Sequence, residues 1–194
     1  MTSDFGIHIE DGSEVLQEYS VVLNKKRIDL YDWQRRAIEF FFTHDNKAVF
    51  TVPTGVGKTI LAIELIKQIH KIHPDYRCLI ITPKNIVVSV WQKELYDAGY
   101  NLQDIGIFYG LGHEYSKVTI TNMQSLKAVA MEIFDIICAD EVHNYGTKRL
   151  LEYLRLPIKY KIGLSATVER MDNAHWEILK CFDYNVFDYS PYAA

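Results

Sequence analysis

The sequence predicts an α/β fold in which helices cover both faces of a mostly parallel sheet. From residue 31 onward, short and continuously apolar runs alternate with segments of helical periodicity. Strands that are buried on both faces appear as continuous apolar runs, and their alternation with helices is typical of parallel strands joined by helical crossovers. A glycine-rich segment between one such strand and the helix after it fits the same class. The 194 residues suit one domain.

The expected elements follow one another along the chain. Each strand is a short apolar run, and each helix has apolar residues three and four positions apart. We predict strands at 47–53, 77–82, 103–109, 117–122, 134–140, 159–165 and, less regularly, 185–190, and the clearest helices at 59–73 and 85–99. Residues 1–29 are expected to form an N-terminal arm or edge element, and 30–194 the main domain.

The composition is that of an ordinary globular protein, with 48% apolar and 24% charged residues. The net charge of −4 argues against a wholly basic surface but permits a local basic groove. Cys78, Cys138 and Cys181 form no C-x-x-C pair and are expected to be thiols in a reducing compartment. No apolar run is long enough to span a membrane and no signal peptide is evident, so we expect a cytoplasmic location, or a nuclear one in a eukaryote.

The segment TVPTGVGKT (51–59) predicts a phosphate-binding loop. It matches the pattern G-x-x-x-x-G-K-[ST] except that Val52 occupies the first position, where the chain leaves the strand. Lys58 would reach the terminal phosphates and the Thr59 hydroxyl would bind Mg²⁺. Because a strand precedes the loop and a helix follows it, we expect a nucleoside triphosphate to bind here. The predicted nucleotide-binding residues in the loop are Thr54, Gly55, Val56, Gly57, Lys58 and Thr59.

The acidic end of a second segment, FDIICADE (134–141), supplies the other half of the predicted site. Its apolar run ends at Asp140, which would hold Mg²⁺ at the tip of a strand. Glu141 could orient and deprotonate the attacking water.

Together with SAT (165–167), the run DEVH (140–143) resembles the motifs of superfamily 2 helicases and translocases of the DExH type. The chain resembles the first RecA-like lobe of these P-loop NTPases and is most similar to the XPB/UvsW-like and type III restriction translocase branch. The resemblance covers residues 30 to about 190. The matching segments, in the expected order, are LYDWQRRAIEF (30–40), VPTGVGKT (52–59), LIITPKNIVVSVWQKEL (79–95), VTITNMQSL (118–126), DEVH (140–143) and IGLSATVER (162–170).

The resemblance implies ATP and Mg²⁺ as cofactors and assigns further roles. Gln34 would contact the adenine edge. His143 would bond toward Ser165 or Thr167 and so link the hydrolysis site to the nucleic-acid-binding face. Sequence-independent contacts to the backbone of a nucleic acid, with DNA favoured over RNA, would come from Pro83, Lys84, Thr121, Asn122 and Gln124.

The resemblance also implies a partner, because the remaining motifs and the arginine finger belong to a second RecA-like lobe, in the same full-length chain or in trans. We therefore expect this chain to be an excised lobe that binds ATP, turns it over very slowly and does not unwind a duplex. The run VERMDN (168–173) departs from the P-E-R-x-D-G frequent in this branch, which leaves the role of Arg170 open.

Two alternatives remain open at this point. The chain could be a non-catalytic module that binds nucleic acid or a partner and uses ATP as a switch, although Glu141 favours hydrolysis. A P-loop kinase is disfavoured by the DEVH and SAT motifs.

His70 and His73, three positions apart on the predicted helix, are expected to be a surface pair and not metal ligands.

Overall fold

The computed structural model describes residues 20–23, 26–166 and 173–190. The strands are β1 (Ser20–Leu23), β2 (Lys26–Asp29), β3 (Lys47–Thr51), β4 (Cys78–Thr82), β5 (Ile105–Tyr109), β6 (Gly112–His113), β7 (Val118–Asn122), β8 (Ile136–Ala139), β9 (Tyr160–Ser165) and β10 (Val186–Asp188). The helices are α1 (Asp32–Thr43), α2 (Lys58–Ile72), α3 (Asn85–Asp97), α4 (Lys148–Leu154) and α5 (Asn173–Lys180). Short 3-10 helices cover Leu102–Asp104, Leu126–Ala128, Met131–Ile133 and Val142–Tyr145.

Within these ranges, eight strands form one sheet in the order β10-β3-β9-β8-β4-β7-β5-β6. Every neighbouring pair is parallel except β5 and β6, which form an antiparallel hairpin. The predicted parallel sheet is therefore confirmed, and the edge strand β6 is an addition that the sequence pattern did not indicate. Strands β1 and β2 pair antiparallel in a separate two-stranded sheet. Most of the predicted N-terminal arm lies outside the described residues, so the proposed domain boundary stays a prediction.

Helices cover both faces of the sheet, as predicted. On one face, α1, α2 and α3 bury side chains such as Phe41, Ile66 and Trp91 against the strands. On the other face, α4, α5 and the 3-10 helix at Val142–Tyr145 bury Leu151, Leu179 and their neighbours. Burial of an apolar side chain of this size stabilises the fold by about 1.5–3 kcal/mol relative to exposure.

The two buried faces explain why the strands are continuously apolar. Cys78, Cys138 and Cys181 are buried free thiols within these layers. None of the described helices has the length and apolar character needed to cross a bilayer.

The parallel arrangement brings the predicted site residues to one edge of the sheet. Strands β3, β9, β8 and β4 are consecutive neighbours, so their carboxyl ends meet at that edge. The phosphate-binding loop follows β3, Ser165 ends β9, Asp140 follows β8, and Pro83 follows β4. Ligands of open α/β sheets bind at this edge.

The prediction that His70 and His73 form a surface pair is wrong for His70. His70 is only 8% exposed, and its Nδ1 lies 3.0 Å from the Tyr100 hydroxyl oxygen. His73 is partly buried and stacks on Tyr76. The reason is that α2 is buried around most of its circumference, from Leu61 to His70, so a polar residue within it is enclosed as well.

We expect His70 to make folding stability depend on pH. Burial, and secondarily the charge of Lys117, lower the pKa of His70 from 6.5 to about 4. Between these values the unfolded chain takes up a proton at His70 that the folded chain does not. As far as this group is concerned, the free energy of unfolding is therefore highest above pH 6.5 and decreases as the pH falls toward 4. The expected loss between pH 7.5 and pH 5 is about 2 kcal/mol.

Denaturant unfolding at the two pH values measures this effect. His70→Gln should reduce the difference by about 2 kcal/mol, whereas the control His73→Gln should leave it unchanged. An undiminished pH dependence in His70→Gln would contradict the assignment.

Candidate functional site

The phosphate-binding loop is held by glycine conformations and by close packing. Gly55 and Gly57 have φ angles of +81° and +105°, which side chains rarely adopt, and Gly57 is the residue immediately before α2. A Cβ atom on Gly57 would lie 2.9 Å from Nε2 of Gln34. Val52 is fully buried, and its N–H donates to the Ser165 carbonyl at 2.9 Å. The first position of the motif therefore continues the sheet, which explains why it accepts valine.

Lys58 and Glu141 face each other at the carboxyl edge of the sheet. Lys58 Nζ donates to Oε1 of Glu141 at 3.4 Å, and the side chains are 10% and 26% exposed. The residues are 83 positions apart in the chain. The ion pair thus joins the start of α2 to the end of β8, where a triphosphate would meet both a cation and a carboxylate.

Glu141 combines backbone strain with an unsatisfied oxygen. Its φ of 49° and ψ of 54° are left-handed, a conformation that costs a non-glycine residue about 1–2 kcal/mol. Its Oε2 is buried and has no hydrogen-bond partner among the described residues. Backbone strain of this kind clusters at functional sites, and a carboxylate is a group that can act as a water-activating base.

Asp140 lies at the end of β8, with its backbone N–H bonded to the Ile81 carbonyl at 2.9 Å. Burial raises the pKa of its carboxyl group, and a hydrogen bond from Trp91 opposes that rise. Trp91 Nε1 donates to Asp140 Oδ2 at 3.0 Å. This contact from α3 was not predicted from the sequence.

The donor atoms at this edge fit Mg²⁺ and not a softer metal. Thr59, in the first turn of α2, offers a hydroxyl oxygen, and Asp140 offers a carboxylate. Across the described ranges, no three His, Cys, Asp or Glu residues form a cluster able to hold a metal. Mg²⁺ is usually held by one or two protein oxygens, substrate phosphates and water, so a sparse oxygen set suits it.

The predicted contact of His143 with Ser165 is present. His143 Nδ1 lies 3.0 Å from the Ser165 Oγ and 3.5 Å from Oε2 of Glu141. The His143 imidazole therefore lies between Glu141, the candidate base, and Ser165 at the end of β9. Thr167, the alternative partner, and Arg170 lie outside the described residues.

Gln34 has a role that the sequence did not suggest. It is 2% exposed. Its Oε1 accepts the backbone N–H of Tyr31 at 3.0 Å, and its Nε2 donates to the Gly57 carbonyl at 3.1 Å. The amide thus ties the start of α1 to the phosphate-binding loop. Its contact with adenine stays a prediction.

An aromatic pocket beside the loop was missed by the sequence analysis. The rings of Trp33 and Tyr189 stack at 4.9 Å with an interplanar angle of 15°. A pocket of about 360 Å³ lies against them, Tyr31 and the loop residues Gly55 to Gly57. β10 pairs with β3, and the Tyr189 N–H donates to the Thr51 carbonyl at 2.9 Å. Tyr189 therefore reaches the loop only through sheet pairing, which has no local sequence signal. The pocket offers stacking surface to a nucleotide base.

The predicted nucleic-acid contacts divide into exposed and buried residues. Lys84 and Gln124 are exposed and Pro83 is partly exposed, at the ends of the neighbouring strands β4 and β7. Thr121 is buried, and its hydroxyl donates to the Phe108 carbonyl at 2.8 Å. Because Thr121 is inaccessible and its hydroxyl bonds within the sheet, the prediction that it contacts nucleic acid is wrong.

Asn122 is 3% exposed and shapes the loop after β7. It donates to Oδ1 of Asn85 at 2.5 Å and accepts the Ser125 N–H at 2.7 Å. Its direct contact with nucleic acid, like that of the exposed residues, stays a prediction.

Comparisons with known proteins identify the family of the chain. The family model described as "Type III restriction enzyme, res subunit" matches residues 27–170. The putative DNA 3'-5' helicase Rad25 of Haloarcula marismortui is 28% identical over an alignment of 159 residues that covers 78% of this chain and 25% of that protein. The probable helicase D10 of Escherichia phage T5 is 26% identical over 148 residues, 74% of this chain and 31% of that protein. The chain thus spans about a quarter to a third of the length of these curated relatives.

Solved structures share the fold. The UvsW helicase from bacteriophage T4 superposes with a TM-score of 0.71 at 16% identity, covering 88% of this chain and 64% of that one. The Sulfolobus solfataricus SWI2/SNF2 ATPase core in complex with dsDNA gives a TM-score of 0.74 at 16% identity, covering 93% and 47%. At 16% identity, the similarity to these structures shows a shared fold and not a shared function.

Proposed function

Since the chain belongs to the family of the type III restriction enzyme res subunit, as a first RecA-like lobe of the superfamily 2 helicase type, we propose that it binds ATP and Mg²⁺ as the motor lobe of a DNA-dependent ATPase. The observation that carries the proposal is the Lys58–Glu141 pair, 3.4 Å apart across a loop with two left-handed glycines. A second RecA-like lobe, in the same protein or in trans, completes the motor.

The residues of this lobe have separate roles in phosphate binding, Mg²⁺ binding and hydrolysis. Backbone N–H groups of the loop and the start of α2 bind the phosphates, and Lys58 exchanges its contact with Glu141 for the terminal phosphates. Thr59 and Asp140 hold Mg²⁺, which neutralises phosphate charge when bound. Glu141 orients the attacking water and accepts its proton, and His143 passes the state of this site to Ser165.

Hydrolysis also requires an arginine from the second lobe. Such an arginine is worth about 10³–10⁵ in rate in related phosphoryl-transfer enzymes, which corresponds to about 4–7 kcal/mol of activation free energy. The lobe alone therefore binds ATP, turns it over slowly and separates no strands. A pure ATP switch would not require a carboxylate at position 141, so the presence of Glu141 favours the hydrolytic function.

The nucleic acid is proposed to be DNA, because the Haloarcula marismortui relative is named a putative DNA helicase and the SWI2/SNF2 core was solved with dsDNA. Pro83, Lys84 and Gln124 supply the exposed contacts, which touch sugar and phosphate and are independent of base sequence. A motor that acts on DNA works in the cytoplasm of a prokaryotic cell or in the nucleus of a eukaryotic one.

The first experiment measures ATP binding and turnover by the purified chain, with and without single-stranded DNA or RNA of equal length. We expect clear Mg²⁺-dependent ATP binding with turnover close to background, and tighter binding to DNA than to RNA. Absence of ATP binding by the folded chain would refute the proposed function. Turnover that DNA stimulates strongly would refute the requirement for a second lobe.

A further inference from the structure

The side chain of Trp91 connects helix α3 to the carboxylate assigned to Mg²⁺. Trp91 is 1% exposed, and its indole N–H donates to Oδ2 of Asp140 at 3.0 Å. An indole nitrogen can only donate a hydrogen bond. Such a bond is stronger when its acceptor is an ionised carboxylate.

A hydrogen bond to one carboxylate oxygen of Asp140 also fixes the direction of its other carboxylate oxygen. The terminal torsion of an aspartate is broad when nothing restrains it. With Oδ2 held by Trp91, the orientation of Oδ1 of Asp140 is set by the protein and not by the ligand. Partners that orient metal ligands in this way typically change metal affinity or activity by about 10–100-fold when they are removed.

Helix α3 also contacts the loops that carry the predicted nucleic-acid residues. It begins at Asn85, directly after Lys84, and Asn85 Oδ1 accepts the hydrogen bond from Asn122, the last residue of β7. Trp91 lies six positions after Asn85, which is less than two helical turns. A displacement of the first turn of α3 would therefore move the indole as well.

We propose that Trp91 is a positioning residue that holds the Asp140 carboxylate for Mg²⁺ and transmits the position of α3 to it, so that nucleic acid at the start of α3 alters Mg²⁺-dependent nucleotide binding. The proposal rests on the proposed function, because nucleotide and Mg²⁺ are the ligands that it concerns. A buried tryptophan usually finds a hydrogen-bond partner for reasons of packing alone. The test must therefore measure how nucleotide affinity depends on Mg²⁺, and not only the free energy of unfolding.

Trp91→Phe retains an aromatic ring and removes the donor. The measurement is the affinity for a fluorescent non-hydrolysable ATP analogue, in Mg²⁺ and in EDTA, with and without a thymidine oligonucleotide. We expect the gain in affinity that Mg²⁺ confers to fall about tenfold in Trp91→Phe, with affinity in EDTA unchanged within about twofold. The oligonucleotide should alter the Mg²⁺-dependent gain in the wild type and do so less in the variant. Trp176→Phe, which changes a 51% exposed tryptophan on α5, is the matched control and should behave as wild type.

An unchanged Mg²⁺ gain in a folded Trp91→Phe protein would overturn the proposal while leaving the proposed function in place. Failure of the wild type to bind the analogue at all would overturn both. If Trp91→Phe does not fold, the wild type decides by nuclear magnetic resonance. Its three tryptophans give three indole N–H signals, assigned by elimination with Trp33→Phe and Trp176→Phe. The Trp91 signal should move when Mg²⁺ is added to the analogue complex, and an unmoved signal would overturn the proposal.

Discussion

Replacing Lys58 with alanine is expected to weaken ATP binding by at least about 100-fold and to leave the fold intact. In the complex the Lys58 ammonium group, which faces Glu141 at the loop in the free protein, would pair with the triphosphate. Truncating one partner of a buried, hydrogen-bonded charge pair at a binding interface costs about 2–5 kcal/mol. A hundredfold loss of affinity corresponds to about 2.7 kcal/mol. The stability cost should be within about 1 kcal/mol, since the ion pair is partly exposed and Glu141 keeps His143 nearby.

Calorimetric titration with ATP and Mg²⁺ measures this loss, and thermal unfolding verifies the fold. The matched control is Lys93→Ala, which also removes a lysine from an ion pair, the exposed one with Asp97 at 2.6 Å. That variant should bind ATP as the wild type does. Undiminished ATP affinity in a well-folded Lys58→Ala protein would refute the assignment of the phosphate-binding loop.

Local pattern was enough to predict the parallel strands of the main sheet and the positions of the loop and the acidic pair, because each is encoded within a few consecutive residues. The apolar run before Asp140 had to be a buried strand, and the parallel sheet then had to place its end beside the loop. The ends of the elements were less accurate: the strand predicted over 47–53 ends at Thr51. The Val52 N–H still bonds to the Ser165 carbonyl of the neighbouring strand, so composition alone does not mark the last pair.

Contacts between distant segments were not predictable in the same way. Trp91 lies in the helix predicted over 85–99, which is correct, but periodicity identifies the buried face of a helix and not the atom opposite it. The same holds for Tyr189 beside Trp33, and for Gln34, whose amide is used by Tyr31 and Gly57. His70 was misjudged because most positions along α2 are buried, so a polar residue within it does not have to face solvent.

Replacing Glu141 with glutamine is expected to separate nucleotide binding from hydrolysis. Glutamine has nearly the same shape and can occupy the same left-handed backbone, but it cannot accept a proton from water. Its Oε2, which has no hydrogen-bond partner among the described residues, would become part of an amide. Removal of a general base typically lowers the rate by about 10²–10⁴-fold. ATP affinity should be unchanged or higher, because one negative charge near the phosphates is gone.

Single-turnover hydrolysis of radiolabelled ATP, with protein in excess and single-stranded DNA present, measures this rate even when steady-state turnover is low. Glu132→Gln, at an exposed site away from the loop, is the control and should hydrolyse as the wild type does. Equal rates for Glu141→Gln and wild type would mean that Glu141 is not the base, and that its strained backbone and free oxygen serve another purpose. A loss of ATP affinity as large as that of Lys58→Ala would instead mean that the carboxylate shapes the loop. The two variants together therefore distinguish binding of the triphosphate from activation of the water, which the 3.4 Å contact between Lys58 and Glu141 places side by side.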